Sequence, residues 1–325
     1  MLPDGRRLGV HLPLAAGMRK ALDRAREIDA TTIQIFTDNP TAWKRRAQPP
    51  AELDAFRAGL LAADIAPVAA HASYLVNLAG PEPGFYERSI ELLARELHAG
   101  PSYGVQLVNV HIGSHRDSGI DVGTRRLAAG VRATFDRAAA LGEQDPVPSG
   151  PSKMPTLVLE NSAGSGWGLG TSVTELVGIA DALDDEGVPR DRVAFCLDTA
   201  HAWGAGLDLA DPHAIDALVA DFDDRIGLDR LVMLHLNDSR SERGSRLDRH
   251  EHIGAGRIGP VGMTHLLRHP RLAHAAYLLE TPGMDEGYDL INLERARALA
   301  WGRPLADLPP GAFELRSSRA RTAPP

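Results

Sequence analysis

Between Leu234 and Gly259 the chain reads LHLNDSRSERGSRLDRHEHIGAGRIG. An apolar run ends in His235, and four arginines follow, Arg240, Arg243, Arg246 and Arg249. An Asp-x-His pair, Asp248 and His250, comes before a glycine-rich turn over 254–259. Imidazole with carboxylate suits zinc or manganese, and arginines beside such a site suit an anion. The same residue types recur at the ends of other apolar runs: His71 in VAAHASYLVNL, His111 in VNVHIGSH, Glu160 in LVLENSAG, Asp198 and His201 in FCLDTAHAWGAG, and Glu280 in YLLETPG. The set amounts to five histidines and four carboxylates, more than one tetrahedral ion uses and a sensible number for several ions sharing a carboxylate. Four carboxylates packed together without cations would raise one another's pKa values, a cost that divalent ions remove. Two ions about 3.5–4 Å apart can clamp the attacking and leaving oxygens of a phosphoryl group.

Elements that could bring these residues together are legible as alternating patterns. Eight apolar, β-branched runs read as strands: Leu8–Leu12, Thr32–Thr37, Ala66–His71, Leu107–His111, Leu157–Glu160, Val193–Asp198, Leu231–Leu236 and Ala275–Glu280. Helical spacing fills the intervals, at Met18–Ile28, Glu52–Ala63, Tyr86–Leu97, Gly123–Leu141, Val173–Leu183, His213–Phe222, Gly262–Leu267 and Leu293–Leu299. Eight strand–helix repeats predict parallel βα units closed into a single-domain (β/α)8 TIM barrel over residues 1–301. No G-x-G-x-x-G follows the first strand, which disfavours a dinucleotide-binding sheet. Strand C-termini converge on one face of such a barrel, so six strands ending in metal-type residues would meet there. One histidine at a strand end is ordinarily packed or solvated; it is the recurrence that points to a metal site.

Other residues are read more plainly. His98, His213, His265, His269 and His274 fall in helical or connector patterns and are expected at the surface. His11, ending the first strand, fits either simple packing or the orienting of a ligand, and His115 and His252 are candidates to orient ligands or touch substrate. Trp43, Trp167 and Trp203 follow strand ends and are candidates to line the cleft. Lys44, Arg45 and Arg46, with Asn39 and Trp43, form a second basic cluster on the same face, and the turn GAGRIG would let backbone approach an anion. The segment 142–155, GEQDPVPSGPSKMP, reads as a surface insertion, and the stretch from Gly302 to Pro325 as a mobile tail.

Composition bounds the function. The 325 residues carry a formal net charge of -8, which by itself disfavours a general polyanion binder; metal-ligating carboxylates are neutralised when loaded, however, and binding can rest on a local basic face. The single cysteine, Cys196, lies in an apolar run and reads as a buried thiol. No apolar stretch is long enough for a membrane span, and MLPDGRRLGV lacks an apolar signal region, so the expected location is cytoplasmic, away from membranes.

The runs HASYLVNLA, VNVHIGSH, LVLENSAGSGWGLG, FCLDTAHAWGAGLD, LHLNDSRSERGSRLDRHEHIGAGRIG and LLETPG resemble those of the endonuclease IV family, zinc-dependent apurinic/apyrimidinic (AP) endonucleases on a TIM barrel. The resemblance spans about Leu8 to Trp301 and finds every ligand candidate in order. It implies three zinc ions: one held by His71 and His111, a second by Asp198, His235 and Glu280, with the catalytic Glu160 bridging the two, and a third held by His201, Asp248 and His250. It further implies hydrolysis of the phosphodiester 5′ of an abasic site in double-stranded DNA, giving 3′-hydroxyl and 5′-deoxyribose phosphate ends. Tyr74 and Leu75 would wedge into the duplex, and Arg243, Arg246 and Arg249 would meet its backbone. Thr41 stands where family members often carry an inserting arginine, Pro13 and Ala16 alter the first loop, and Ala72 alters the third; these bear on DNA penetration and leave the ligands intact. The competing reading is a metal-dependent sugar isomerase or epimerase of the xylose-isomerase-like barrels. Glu160, Asp198, His235 and Glu280 would satisfy it, but it has no use for His71, His111, His201, Asp248, His250 or the arginine loop.

Overall fold

In the computed structural model, which describes residues 2–46, 50–144 and 154–315, the apolar runs become strands β1 (Leu8–Leu12), β2 (Thr32–Ile35), β3 (Val68–His71), β4 (Leu107–His111), β5 (Thr156–Glu160), β6 (Val193–Asp198) and β7 (Leu231–His235), two short strands β8 (Asp238–Ser239) and β9 (His250–Glu251), and β10 (Ala276–Leu279). All strands but β8 and β9 are parallel and close into a barrel in the order β1-β2-β3-β4-β5-β6-β7-β10. Helices α1 (Met18–Glu27), α2 (Leu53–Ala62), α3 (Pro83–Ala99), α4 (Ile120–Gln144), α5 (Val173–Asp185), α6 (Thr199–Ala205), α7 (Pro212–Arg225), α8 (Gly259–Arg268) and α9 (Tyr288–Ala300) accompany them. This is the expected TIM barrel.

Side-chain alternation along the strands explains how the site is carried. Ala69, Leu107, Val158, Ala194, Cys196, Met233 and Leu278 pack together as a cluster of their own, apart from the larger apolar layer between strands and helices. With a period of two, the next inward positions toward the C-terminal mouth are His71, Asn109, Glu160, Asp198, His235 and Glu280. An apolar plug thus floors a polar mouth. Register brings neighbours level, with His111 opposite Glu160 and Asp198 opposite His235. Gly9 is required where β1 meets β2, because a Cβ there would fall 1.6 Å from the Thr32 carbonyl oxygen.

Helix starts are set by short polar caps. Ser172 Oγ caps the start of α5 by accepting from Glu175 N, while the Glu175 carboxylate accepts from Gly170 N and Thr171 N in the turn before it. The short helix α6, which apolar periodicity does not disclose, starts because Asp198 Oδ1 accepts from His201 N at 2.8 Å. No helix among the described residues is long and apolar enough to cross a membrane.

The described part of the expected tail, residues 302–315, makes hydrogen bonds to the barrel. Arg295 donates to the Ala306 carbonyl and His252 Nε2 to that of Ala312 at 3.0 Å, while Ala312 and Leu315 are buried. Two buried donors therefore fasten a stretch that has no periodicity of its own. Residues 316–325, and 145–153 of the expected insertion, lie outside the described residues.

Candidate metal centre

Nine ligand-type side chains converge at the barrel mouth in three connected groups. His71 Nε2 and His111 Nε2 lie 3.5 and 3.6 Å from Glu160 Oε2. On the other side of that carboxylate, His235 Nδ1 lies 3.2 Å from Glu160 Oε1, 3.3 Å from Glu280 Oε2 and 3.9 Å from Asp198 Oδ2. In the third group His250 Nε2 lies 3.6 Å from Asp198 Oδ2, and Asp248 stands 3.0 Å from His250 and 3.4 Å from His201. Donor atoms of His71, His111 and Glu160, of Glu160, Asp198, His235 and Glu280, and of Asp198, His201 and His250 lie within 4.8 Å of one another in each set. Glu160 is common to the first two sets and Asp198 to the last two, a second link that the sequence did not suggest.

The imidazole tautomers test whether cations fit. His71 Nδ1 faces the Ala72 carbonyl at 2.7 Å, His201 Nδ1 that of Asn161 at 3.0 Å, and His250 Nδ1 that of Glu280 at 2.7 Å. A carbonyl can only accept, so in each ring Nδ1 carries the hydrogen and, in the neutral form, Nε2 presents a lone pair inward. His235 is reversed: its Nε2 donates to Gln34 Oε1 at 3.0 Å, which leaves Nδ1 as the inward lone pair. Lone pairs aimed at carboxylates repel unless a cation stands between. Glu160 Oε1, His235 Nδ1 and His250 Nε2 are buried without a hydrogen-bond partner among the described residues. The donor set and these inward atoms fit zinc.

Electrostatics agree with that reading. Burial lowers an imidazole pKa, and it takes His111 down to about 4. Against the same burial, the charge of Asp248 lifts His250 to about 10, and Asp198 and Asp248 lift His201 well above the ordinary histidine value. Burial raises a carboxylate, yet His235 and His111 hold Glu160 well below the usual range, and His235 and His11 hold Glu280 down. The mouth therefore stabilises positive charge among the nine side chains, as protons or as metal ions.

Several residues that hold the ligands escaped sequence reasoning. Gln34 accepts from His235, donates to Glu280 Oε1 at 2.6 Å and lies 3.0 Å from His11 Nδ1. His11 Nδ1 also lies 3.4 Å from Glu280 Oε1, so His11 is placed to orient that carboxylate both directly and through Gln34. Asn109 donates to Glu160 Oε2 at 2.5 Å, Asn237 to Asp198 Oδ2 at 2.7 Å, and Asn161 to the Asp198 carbonyl at 3.1 Å. Gln34 and Asn109 share the inward phase of their strands with the ligands, and a period-two reading extended to amides would have found them.

Loop seven is built from within. The Asp238 carboxylate accepts from the backbone N–H groups of Ser239, Gly256, Ile258 and Gly259, and a Cβ at Gly256 would come within 2.4 Å of it. The glycine-rich turn does approach an anion, but that anion is the chain's own carboxylate. Trp203 Nε1 donates to Ser241 O at 2.9 Å and is buried, so it supports the loop rather than lining a cleft. Trp43 packs against Phe85 under Arg88, while Trp167 is exposed. His252 is wholly buried between Asn292 and Ala312, and His115 Nδ1 accepts from Gly119 N at the approach to α4; both are structural.

Around the mouth Tyr74, Trp167 and Leu247 expose apolar surface, with Leu75 half-buried beside Tyr74. Thr41 lies in an Asn39-capped turn, and the preceding Pro40 carbonyl accepts from Ser73 Oγ and Tyr74 N, which ties loop two to loop three. Arg243 is paired with Asp208, whereas no carboxylate among the described residues lies within ion-pair range of Arg246 or Arg249. Of the second basic cluster, Arg45 is committed to Glu96 at 2.5 Å, and Arg46 lies 3.6 Å from Asp38.

A barrel with carboxylates and imidazoles at its C-terminal mouth defines a class, and the family model described as the xylose isomerase-like TIM barrel matches residues 22–304. Among similar relatives, the protein named "Probable endonuclease 4" of Methanoculleus marisnigri is 39% identical over 293 residues, covering 90% of this chain and 98% of its own length. Its namesake in Halorhodospira halophila is 40% identical over 282 residues, covering 86% and 90%. The crystal structure of endonuclease IV from Thermus thermophilus aligns with a TM-score of 0.75 at 35% identity over 91% of this chain and 99% of that one. The chain belongs to the endonuclease IV family. A D-tagatose 3-epimerase-like protein, with a TM-score of 0.63 at 15% identity, shares the barrel alone.

Proposed function

We propose that this chain is a zinc-dependent AP endonuclease that hydrolyses the phosphodiester 5′ of an abasic nucleotide in duplex DNA, leaving 3′-hydroxyl and 5′-deoxyribose phosphate ends. The observation that carries the reading is the convergence of nine ligand-type side chains in three linked groups, in a member of the endonuclease IV family. His71 and His111 would hold one ion, Asp198, His235 and Glu280 a second, with Glu160 common to both, and His201, Asp248 and His250 a third, beside Asp198. Divalent ions so held supply Lewis-acid stabilisation of phosphoryl oxygens and an activated water. The chain's own residues do the rest. Carbonyls behind His71, His201 and His250, and Gln34 behind His235, keep lone pairs aimed inward before any ion or substrate arrives. Tyr74 and Leu75 would open the duplex, a role that the exposed ring of Tyr74 supports, and a nucleotide without a base costs least to extrude.

The test is incision of a duplex carrying one abasic site, with metal analysis on the same sample. About three zinc ions per chain and a nick 5′ of the site are expected, with the nick lost to a chelator. A fully loaded protein that leaves the duplex intact and turns over a ketose or aldose would instead establish the sugar isomerase reading.

On loop seven, removing Arg246 should weaken DNA binding more cleanly than removing Arg243, because Arg243 already neutralises Asp208. Arg246→Ala should flatten the slope of log affinity against log salt by about 0.9, the share of one phosphate contact. Arg243→Ala should flatten it less. Equal slopes for Arg246→Ala and wild type, measured by fluorescence anisotropy across a salt series, would remove Arg246 from the DNA path.

A further inference from the structure

On the flank of the barrel, away from the mouth, a fourth group of metal-type side chains meets between α7 and α8. Asp216 lies on α7, His265 on the last turn of α8, and His269 immediately after that helix. His265 Nε2 and His269 Nε2 face the same oxygen, Asp216 Oδ1, at 2.6 and 3.3 Å. The four-residue spacing of the two histidines puts their rings on one side of α8, 5.6 Å apart and edge to face. Their sequence pattern places both at the surface, but His269 is buried at 6% exposure, and its Nδ1 has no hydrogen-bond partner among the described residues. Without an ion, His265 Nε2 donates a hydrogen bond to Asp216 Oδ1, and the buried His269 turns its Nε2 toward that same oxygen, so two imidazole nitrogens converge on one carboxylate.

We propose that Asp216, His265 and His269 form a further divalent-cation site, of zinc type, separate from the barrel mouth. The three donor atoms lie within 4.8 Å of one another, and two imidazoles with one carboxylate are a zinc-ligand set that leaves the fourth tetrahedral position to water. Ligands about 2.1 Å from a tetrahedral zinc stand about 3.4 Å apart. The pair from His269 to Asp216 is already at 3.3 Å, and the pair from His265 must open from 2.6 Å by less than one ångström. Asp216 can supply that movement by giving up its hydrogen bond from His265, since its side chain is half-exposed, while His269 is held in place by burial. The unpaired Nδ1 of His269 sets the strength: ligating histidines usually gain about 10–100-fold in metal affinity from a partner on the other nitrogen, and this one has none among the described residues. The flank site therefore binds more weakly than the mouth, where His71, His201, His235 and His250 each have such a partner. An ion there would join the end of α8 to α7. The proposal stands on these three residues and does not depend on what the mouth does.

The full-length protein, His265→Ala and Asp216→Asn are to be equilibrated against a series of buffered free-zinc concentrations and the bound zinc counted by elemental analysis. Both substituted side chains are partly exposed, so folding should survive, and each variant backs up the other. Wild type should take up one zinc equivalent more than either variant, in the weakest step of the titration, with abasic-duplex incision the same in all three. Identical zinc content in wild type and both variants across the series would overturn the site. A loss reaching the tightly held zinc or the incision rate would overturn its separateness from the mouth.

Discussion

Glu160→Gln is expected to lower incision of an abasic duplex by more than about 100-fold, the upper end of what losing a mere supporting partner of a metal ligand costs. Glu160 faces His71 and His111 with one oxygen and His201 and His235 with the other, at 3.2 to 3.6 Å, and is buried. Glutamine keeps the shape but removes the charge, and it turns one end of the group into a donor beside imidazoles. Asn109, which donates to Oε2 at 2.5 Å, would have to share that position with the new amide or find it reversed. The barrel should stay folded, because the substitution is nearly isosteric and removes charge from a crowded polar cluster rather than volume from the core. Zinc content and incision rate measured on one preparation check the result. A wild-type rate would dismiss the bridging role of Glu160, and a reduced rate with full zinc would place its contribution in the reaction rather than in holding the ions.

Gln34→Leu is expected to raise the free zinc needed for half-maximal incision by about 10–100-fold, with a much smaller change once zinc is saturating. Gln34 is fully buried behind the ligands. It accepts from His235 Nε2 and donates to Glu280 Oε1, so one amide sets both the tautomer of an imidazole and the rotamer of a carboxylate in the same ligand group. Leucine fills the space but frees His235 to carry its hydrogen on the inward nitrogen, where the lone pair is needed. A purely structural role predicts a lower unfolding temperature and an unchanged zinc requirement; a positioning role predicts the opposite pattern. Incision as a function of buffered zinc, alongside thermal unfolding, separates the two.

Much of this was legible in the linear order. Eight apolar runs at barrel spacing, six of them with His, Asp or Glu as the last or next-to-last residue, specified both the architecture and the mouth, because a strand's C-terminal end lands on one face of a parallel barrel wherever it occurs in the chain. The limits of the eight barrel strands agree with the apolar runs within two residues, with β1, β4 and β6 matched at both ends, while the two-residue strands β8 and β9 have no such run. Those runs are bounded by the ligand-type polar residues that meet at the mouth, so the boundary and the candidate site are the same signal. Helix α6 is not legible in apolar periodicity, because its start depends on the Asp198 side chain accepting from His201 N.

Local patterning could therefore decide which residue types reach the mouth, since alternation with a period of two is a property of each strand alone. It could not decide what stands behind them. The amide of Gln34 meets His235 across 201 positions of sequence, and the Ala312 carbonyl meets His252 across 60, contacts that exist only once the barrel has closed. Nor could it tell that the glycine turn after His250 would cradle Asp238, that Asp198 would serve two ligand groups at once, or that His269 would be buried against Asp216. Each of these depends on which side chains burial brings together. A buried polar atom must find its partner among whatever the tertiary fold places within about 3 Å, and the sequence does not carry that neighbourhood.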